Sequence, residues 1–335
     1  MWAVGLVDRV YIERSLEDKF AKYVLLAKGG AAEYITGVIG VNNVDVVDLQ
    51  EAYAALLPPL VLRLEPRKFR LIIHTPGPWG HPSFPPRELF EEEFGYSFIS
   101  NPVILTELGG LSMAGGGVVV SQKMLDVVSK VIPHHMHKVS YITNGVDAAR
   151  WVDPRIARAE SGEELWSAKM AARQELLGLM SKYKKVDAGG DRPIIAWNRR
   201  VTKYKRPEFI LDLIEDEQPR DAVFLLAGKA HPDDNYGLEV MRRMKQASLN
   251  YENVVFMPDY GVRLARPIVA GSSLMVFTPF PPGWEASGTS FMKGGLNGTP
   301  PSLSSRDGAA VELIRDGGER VVVRRGRARI DRYRH

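Results

Sequence analysis

The sequence predicts an α/β protein with two Rossmann-like domains that face a cleft. Short β-rich runs alternate with longer helical patterns over the 335 residues, which is typical of parallel α/β units. A long charged helical stretch at 157–184 separates two such series. Loops rich in glycine, proline or basic residues follow strands in both series, and the carboxyl ends of parallel strands are where ligands bind. We therefore expect a ligand site in the cleft between the two domains.

The first predicted domain covers residues 1–150. Its expected strands are at 4–12, 44–49, 71–74 and 141–143, and its expected helices are at 51–57, 87–96 and 102–113. The residues at 35–40 and at 118–132 fit either a strand or a helix. The loop HTPGPWGH starts at His74, where a strand ends, because its prolines and glycines forbid regular structure. The three glycines at 115–117 lack the trailing Lys-Ser/Thr of a P-loop, so we expect a structural turn there.

A helical connector over 151–190 and a second domain over 191–335 follow. The second series predicts strands at 194–198, 223–227, 253–257 and 274–277, with helices at 207–216, 238–247 and 265–271. We find no repeat of fixed period, so a solenoid is not expected.

The composition limits the classes of function. A formal charge of +4 is too small to indicate nucleic acid as the main partner, although it suits an anionic substrate. The absence of cysteine excludes disulfides, thiolate zinc sites and a cysteine nucleophile. No apolar run reaches the roughly 20 residues of a membrane helix, and the N-terminus does not fit a signal peptide, so we expect a soluble, cytoplasmic protein.

The histidines in HHMH at 134–137 have no acidic neighbour, which favours a surface or turn role and no metal site.

The segment WEASGTSFMKGGLNG at 284–298 is poor core material because it has no apolar face of helical period. Its physical interpretation is a glycine-loosened turn that opens a short helix near Gly288 or Thr289, where unpaired amides attract an anion. Lys293 then lies one turn inside, where a partly desolvated amine can lose its proton and form a Schiff base. The alternative from this window alone is a solvated, glycine-rich loop.

A basic cluster at 199–206 directly follows the strand predicted at 194–198. Its members are Arg199, Arg200, Lys203, Lys205 and Arg206. Guanidinium beside ammonium at the carboxyl end of a sheet suits a bound phosphate. The alternative is a solvated run of charge.

Four segments occur in the order found in one enzyme family. They are HTPGPWGHPSF from His74, YITNGVDAARW from Tyr141, WNRRVTKYKRPE from Trp197 with FLLAGKAHPDD from Phe224, and WEASGTSFMK from Trp284. In these the chain resembles alpha-glucan phosphorylases, pyridoxal-phosphate enzymes of the glycogen phosphorylase family, from about residue 4 to 312. The resemblance implies the GT-B type of fold. It also implies phosphorolysis of an α-1,4-glucan or maltodextrin by inorganic phosphate, which gives glucose 1-phosphate with retained configuration.

The resemblance also implies site residues. Those for pyridoxal 5′-phosphate are Lys293 as the Schiff-base lysine, Arg199, Tyr260, Gly288 and Thr289. Those for inorganic phosphate, which form the catalytic set together with Lys293, are Arg200 and Lys205. Those for the glucosyl unit are Asn144, Glu285, Ala286, Ser287 and Gly288. No metal is implied.

Several family positions are changed in this sequence. Tyr53 and Gln122 replace histidines, Thr202-Lys203 replaces a His-Glu pair, Gly261 replaces an arginine, and a bulky Phe291 stands where a small or polar residue is common. We expect no counterpart of the family's glycine-rich loop over the phosphate in this sequence. Three interpretations therefore stay open: a minimal phosphorylase, a GT-B glycosyltransferase whose Arg200 and Lys205 hold the diphosphate of a nucleotide sugar, and a non-catalytic glucan- or cofactor-binding homologue. Homo-oligomerisation is also left open.

Overall fold

The computed structural model describes residues 13, 15–77, 80–84, 91–93, 112–189, 192–280, 285–303, 308–314 and 321–322. The chain divides into two compact units, Met1–Thr143 and Asn144–His335. Each unit contains one sheet, and every described strand pair in both sheets is parallel. The predicted α/β class is confirmed, whereas the three-part division at 150 and 190 stays a prediction.

The first unit is built on a four-stranded sheet of order β1-β2-β3-β4. Its strands and α-helices are α1 Leu16–Val24, β1 Val47–Gln50, α2 Glu51–Ala55, β2 Phe69–Ile73, β3 Gly117–Val119, α3 Gln122–Val131 and β4 Val139–Tyr141. Two π-helical segments, Leu25–Ala32 and Tyr34–Ile39, follow α1. Short 3-10 turns occur at Val41–Asn43, Pro58–Leu60, Pro66–Lys68 and Pro133–Lys138.

The structure resolves the ambiguous parts of the first unit. The residues at 35–40 are helical and end at Gly40 (φ +81°), a conformation that favours glycine. The residues at 118–132 contain the end of a strand followed by a helix. The strand expected at 141–143 was placed two residues too late, since β4 pairs with β3 from Val139 to Tyr141. The HHMH histidines lie in the 3-10 turn that precedes β4.

Other predictions for the first unit are settled only in part. Gly115 and Gly116 complete a turn before β3, whose first residue is Gly117, and a Cβ on Gly115 would lie 2.0 Å from the carbonyl oxygen of Arg67. The strand predicted at 4–12 lies outside the described residues, as do most of the helices predicted at 87–96 and 102–113.

The second unit is built on a six-stranded sheet of order β10-β9-β8-β5-β6-β7. Its helices are α4 Ala148–Trp151, α5 Pro154–Ala157, α6 Gly162–Met180, α7 Glu208–Glu217, α8 Asn235–Asn250, α9 Val262–Gly271, α10 Ser290–Leu296 and α11 Gly308–Leu313. Its strands are β5 Ile194–Arg200, β6 Val223–Lys229, β7 Val254–Met257, β8 Leu274–Phe277, β9 Pro301–Leu303 and β10 Val321–Val322. A 3-10 turn at Lys203–Lys205 lies between β5 and α7.

The core of this unit lies on both faces of β5 and β6. One face packs against α7 and α8 around Trp197, and the other packs against α6 and α9 around Leu225. Both strands are near-continuous apolar runs because both of their faces are covered. Two boundary expectations were too short: β5 and β6 each continue two residues beyond the predicted end, so Arg199 and Arg200 lie inside the sheet.

The described helices include none that is both long enough and apolar enough to cross a membrane.

Candidate functional site

The basic cluster lies at the carboxyl end of β5, an interior strand of the second sheet. Successive strand residues point to opposite faces, and this separates the two arginines at the strand end. The side chain of Arg199 is buried, with 4% of its surface exposed, whereas Arg200 is exposed. The guanidinium of Arg199 lies 5.0 Å from the centre of the Phe277 ring on neighbouring β8. A buried cation therefore lies at the carboxyl end of β5.

Glu285 joins this buried cation to a second one. Its carboxylate accepts a hydrogen bond from the Lys205 amine and lies 3.7 Å from Nη2 of Arg199. All three side chains are at least nine-tenths buried. The cluster therefore holds two cations and one carboxylate, and a second anion could be accommodated without excess negative charge.

Burial and neighbouring charge perturb both partners of the pair. Burial, reinforced by the nearby Arg199, lowers the pKa of Lys205, and Glu285 only partly offsets this. For Glu285, burial alone would raise the pKa, but Arg199 and Lys205 together hold it below its usual value. Strong perturbation of several groups in one place is typical of functional sites.

Polar atoms without partners surround the cluster. Within the described residues, Nη1 of Arg199, Oγ1 of Thr202 and Oγ of Ser287 are buried and have no hydrogen-bond partner. Buried polar atoms in native proteins are almost always paired. Arg199 and Thr202 lie at the end of β5, and Ser287 lies two residues after Glu285, so these atoms indicate a place where a polar ligand binds.

The turn after β5 is fastened to the segment after β8. The Thr278 hydroxyl donates to the carbonyl oxygens of Lys205 (2.7 Å) and Arg206 (2.9 Å), and Nε of Arg206 donates to the carbonyl oxygen of Thr278 (2.6 Å). Arg206 has φ +46°, which is uncommon for a residue with a Cβ. These contacts fix Lys205 in the direction of Glu285.

Two tyrosines border the cluster. Nη2 of Arg200 donates to Oη of Tyr204 at 3.2 Å, and the Lys205 amine lies 4.6 Å from the centre of the same ring. Nδ2 of Asn198 donates to Oη of Tyr260 at 3.4 Å. Burial raises the pKa of Tyr204 and of Tyr260, so both hydroxyls stay protonated at neutral pH.

Lys293 lies on α10 and contacts Trp151. Its amine is 3.8 Å from the centre of the Trp151 ring. Burial, with a smaller effect of Arg150, lowers the pKa of Lys293. Among the described contacts none joins Lys293 to the cations at 199, 200 or 205. The connection is indirect: Phe291 on α10 packs edge-on against Phe277, at 6.3 Å between ring centres, and Arg199 lies over Phe277.

The remaining predicted residues fall in two places. Ala286, Ser287, Gly288 and Thr289 form the segment between Glu285 and the start of α10 at Ser290, and Gly288 is buried. Asn144 lies in the loop between β4 and α4 and is half-buried. Trp284, the first residue of the segment, lies outside the described residues.

Sequence reasoning missed four residues of this region. They are Trp151, Asn198, Tyr204 and Asn297. All four were inside the quoted segments. Aromatic or amide side chains next to a predicted site residue were the available signal, but no sequence pattern gives their contacts.

A family model for carbohydrate phosphorylases matches residues 157–329. Maltodextrin phosphorylase of Thermococcus litoralis is 34% identical over 171 residues, which are 45% of this chain and 20% of that protein. Glycogen phosphorylase of Aquifex aeolicus is 35% identical over 127 residues, 35% of this chain and 18% of that protein. The chain thus spans about a fifth of the length of these two relatives.

Solved structures similar to this chain include two glycosyltransferases. The catalytic domain of starch synthase IV from Arabidopsis thaliana, bound to ADP and acarbose, has a TM-score of 0.72 at 16% identity and covers 93% of this chain and 65% of its own. HepE of Anabaena, in complex with UDP and glucose, has a TM-score of 0.55 at 16% identity and covers 86% of this chain and 69% of its own. At this identity the likeness shows the fold alone, which is the predicted GT-B type.

Proposed function

We propose, because this chain belongs to the carbohydrate phosphorylase family, that it binds pyridoxal 5′-phosphate and cleaves α-1,4-glucan with inorganic phosphate to give glucose 1-phosphate. The observation that carries the proposal is the buried guanidinium of Arg199, whose Nη1 lacks a hydrogen-bond partner within the described residues. A phosphate oxygen satisfies such a group with a strong, charge-assisted hydrogen bond. Relatives that match this chain include maltodextrin and glycogen phosphorylases, which supports the same chemistry.

The residues present fit the proposed cofactor. The lowered pKa of Lys293 makes more of its amine neutral, and only a neutral amine attacks an aldehyde. Lys293 would hold the aldehyde end of the cofactor. Arg199 and the amides of Gly288 and Thr289 would hold its phosphate, and Tyr260 would lie beside it. When bound, the cofactor supplies a phosphate group that assists proton transfer with the substrate phosphate.

The ion cluster supports binding of the second phosphate. Arg200 and Lys205 would bind inorganic phosphate, and with Lys293 they are the proposed catalytic residues. An incoming phosphate offers Lys205 an acceptor other than Glu285. The carboxylate of Glu285 can then accept hydrogen bonds from sugar hydroxyls, which are donors. Ala286, Ser287, Gly288 and Asn144 complete the proposed contacts with the glucosyl unit.

A second candidate is a glycosyltransferase that uses a nucleotide sugar. The structural neighbours were solved with ADP or UDP. The same pair, Arg200 and Lys205, could hold a diphosphate in this chain. A third outcome is a homologue that binds glucan or cofactor without catalysis. A cytoplasmic location and a homo-oligomer stay predictions.

The test begins with the colour of the protein. The purified chain is scanned for the absorbance of bound pyridoxal, reduced with borohydride, and digested so that the labelled peptide can be mapped. We expect the label on Lys293. Lys293→Arg, which keeps the charge but cannot form the bond, is the matched control and should be colourless, with the thermal unfolding of the unmodified chain freed of cofactor.

Activity assays separate the candidates. Maltodextrin with inorganic phosphate should yield glucose 1-phosphate. Colourless protein that binds ADP-glucose or UDP-glucose would replace the proposal by the nucleotide-sugar candidate. A label on Lys293 without glucose 1-phosphate would leave a cofactor-binding homologue. A chromophore of equal strength in Lys293→Arg would overturn the assignment of the lysine.

A further inference from the structure

Asn297 is a fully buried polar residue directly after α10, and its side chain joins two segments of the second unit. Its Nδ2 donates to the carbonyl oxygen of Trp151 at 2.9 Å and to that of Lys293 at 2.8 Å. Its Oδ1 accepts from the backbone amide of Asp153 at 2.8 Å. Asn297 is 0% exposed. One amide group therefore connects the end of α4 to the helix that carries Lys293.

This connection determines which side chain the Lys293 amine contacts. The carbonyl groups of Trp151 and Lys293 are held by the same nitrogen, so their side chains leave the backbone at a fixed separation. The amine lies 3.8 Å from the centre of the indole ring, so the ring face covers it on one side. The amine is half-buried, and burial lowers its pKa more than the nearby Arg150 does. The position of Trp151 thus depends on Asn297.

A second fully buried residue, Thr299, fastens the same helix on another side. Its hydroxyl donates to the carbonyl oxygen of Val269 at 2.6 Å and accepts from the Lys169 amine at 2.7 Å. Its backbone amide donates to the carbonyl oxygen of Gly294 at 2.9 Å. None of these three contacts involves Trp151. Thr299 therefore offers a control of equal burial two residues away.

We propose that Asn297 is a positioning residue that holds the indole of Trp151 against the Lys293 amine. The amine is thereby kept in one partly desolvated orientation, from which it reacts as a nucleophile. The role of this arrangement in catalysis rests on the proposed function. The contact between Trp151 and Lys293 is present in the chain without any cofactor.

The experiment uses the ring current of Trp151. The full chain, freed of any bound aldehyde, is reductively methylated with ¹³C-formaldehyde, and the Lys293 methyl resonance is assigned by its loss in Lys293→Arg. Methyl groups over an indole face are shifted upfield, so we expect an upfield Lys293 resonance that moves to the ordinary lysine position in Trp151→Leu. Asn297→Ala should lose the upfield shift as well. Thr299→Val should retain it.

A pH titration of the same resonance gives an independent readout. Release of the amine into water should raise the pKa of Lys293 in Asn297→Ala, because burial is the main cause of its lowered value. A higher pKa leaves a smaller fraction of the amine neutral at neutral pH. Thr299→Val should leave this titration unchanged.

Two results would overturn the inference. One is an unchanged upfield resonance in folded Asn297→Ala. The other is an equal loss in Thr299→Val, which would mean that Asn297 acts only through general stability. If Asn297→Ala does not fold, Asn297→Ser, which keeps a smaller hydrogen-bonding group, is compared with Thr299→Val by the same criteria. Pyridoxal-phosphate binding is measured separately on the unmodified protein, so failure of the proposed function would not be mistaken for failure of this contact.

Discussion

Glu285 balances two buried cations, and this single carboxylate decides the electrostatics of the site. Without it, Arg199 would be a buried cation with no carboxylate beside it. Lys205, whose pKa burial and Arg199 lower to about 7 even with Glu285 present, would lose its proton. Isolated buried charges are very costly, and pairing recovers part of that cost. Proteins retain such clusters mainly where a ligand needs them. The ion pair is therefore better evidence for anion binding than for stability.

Glu285→Gln tests this balance directly. The variant keeps the shape of the side chain but leaves Lys205 and Arg199 without a carboxylate. We expect the free energy of unfolding at neutral pH to fall by about 3 kcal/mol, because removing one side of a buried pair leaves uncompensated charge. Unfolding in urea, with a slope m equal to that of the unmodified chain, measures the change.

The matched control is Glu239→Gln on α8. Glu239 pairs with Arg242, and the two side chains are 70% and 71% exposed, so solvent screens the interaction. We expect a change below about 0.5 kcal/mol. Similar losses in the two variants would show that Glu285 is not an effective counter-ion.

The elements of the second unit were largely predictable from their local pattern. Buried parallel strands are apolar throughout, so β8 was predicted at its observed bounds. Strand ends were not predictable, because β5 continues through Arg199 and Arg200 only by pairing with β6. The contact between Lys205 and Glu285 joins residues 80 positions apart. Motifs identified both residues, but the sequence assigned Glu285 to the sugar alone because no local pattern reports a long-range ion pair.

Lys169 connects three elements of this unit, and its titration can be followed. Its amine donates to the carbonyl oxygen of Ala270 at the end of α9 (2.6 Å) and to the Thr299 hydroxyl after α10 (2.7 Å), while the residue itself lies on α6. Burial lowers the pKa of Lys169 to about 8, and Asp153 only partly offsets this. The folded chain therefore releases this proton at a lower pH than the unfolded chain.

A rise in stability with pH is the expected consequence for Lys169. Between about pH 8 and the ordinary lysine value of 10.5, the unfolded state binds more protons than the folded state. Stability contributed by this residue should therefore increase through that window, by up to about 3 kcal/mol. The measurement is the difference in free energy of unfolding between the unmodified chain and Lys169→Met at several pH values. Tyrosine titration is common to both and cancels.

Lys169→Arg is the control, since arginine stays protonated throughout this range. The difference in free energy of unfolding between Lys169→Arg and Lys169→Met should not rise between about pH 8 and 10.5. A flat difference for the unmodified chain would contradict the assignment of a low pKa to Lys169.

At the scale of the whole molecule, the chain combines a GT-B fold with only part of the length of its phosphorylase relatives. The fold likeness covers most of this chain, whereas the curated relatives match about a third to a half of it. The matched part includes the ion cluster, Tyr260 and Lys293. The changed positions Thr202 and Phe291 also lie in it, and Phe291 is 4% exposed and packs on Phe277. Phe291 is thus part of the core, and its packing does not prevent the ion cluster from binding an anion.

Inorganic phosphate should therefore stabilise the whole chain against heat. A ligand that binds only the folded state stabilises it by about 2.7 kcal/mol when its concentration is 100 times its Kd. The small net charge of +4 gives little non-specific attraction, so the effect should exceed that of chloride at the same ionic strength. Differential scanning calorimetry of the unmodified chain and of Arg200→Met measures this. Arg200 is exposed, so its loss should remove most of the phosphate effect without a large change in the starting Tm. Equal protection by phosphate and chloride would mean that the basic end of the second sheet is not an anion site. Full protection of Arg200→Met would mean that Arg200 does not hold the phosphate.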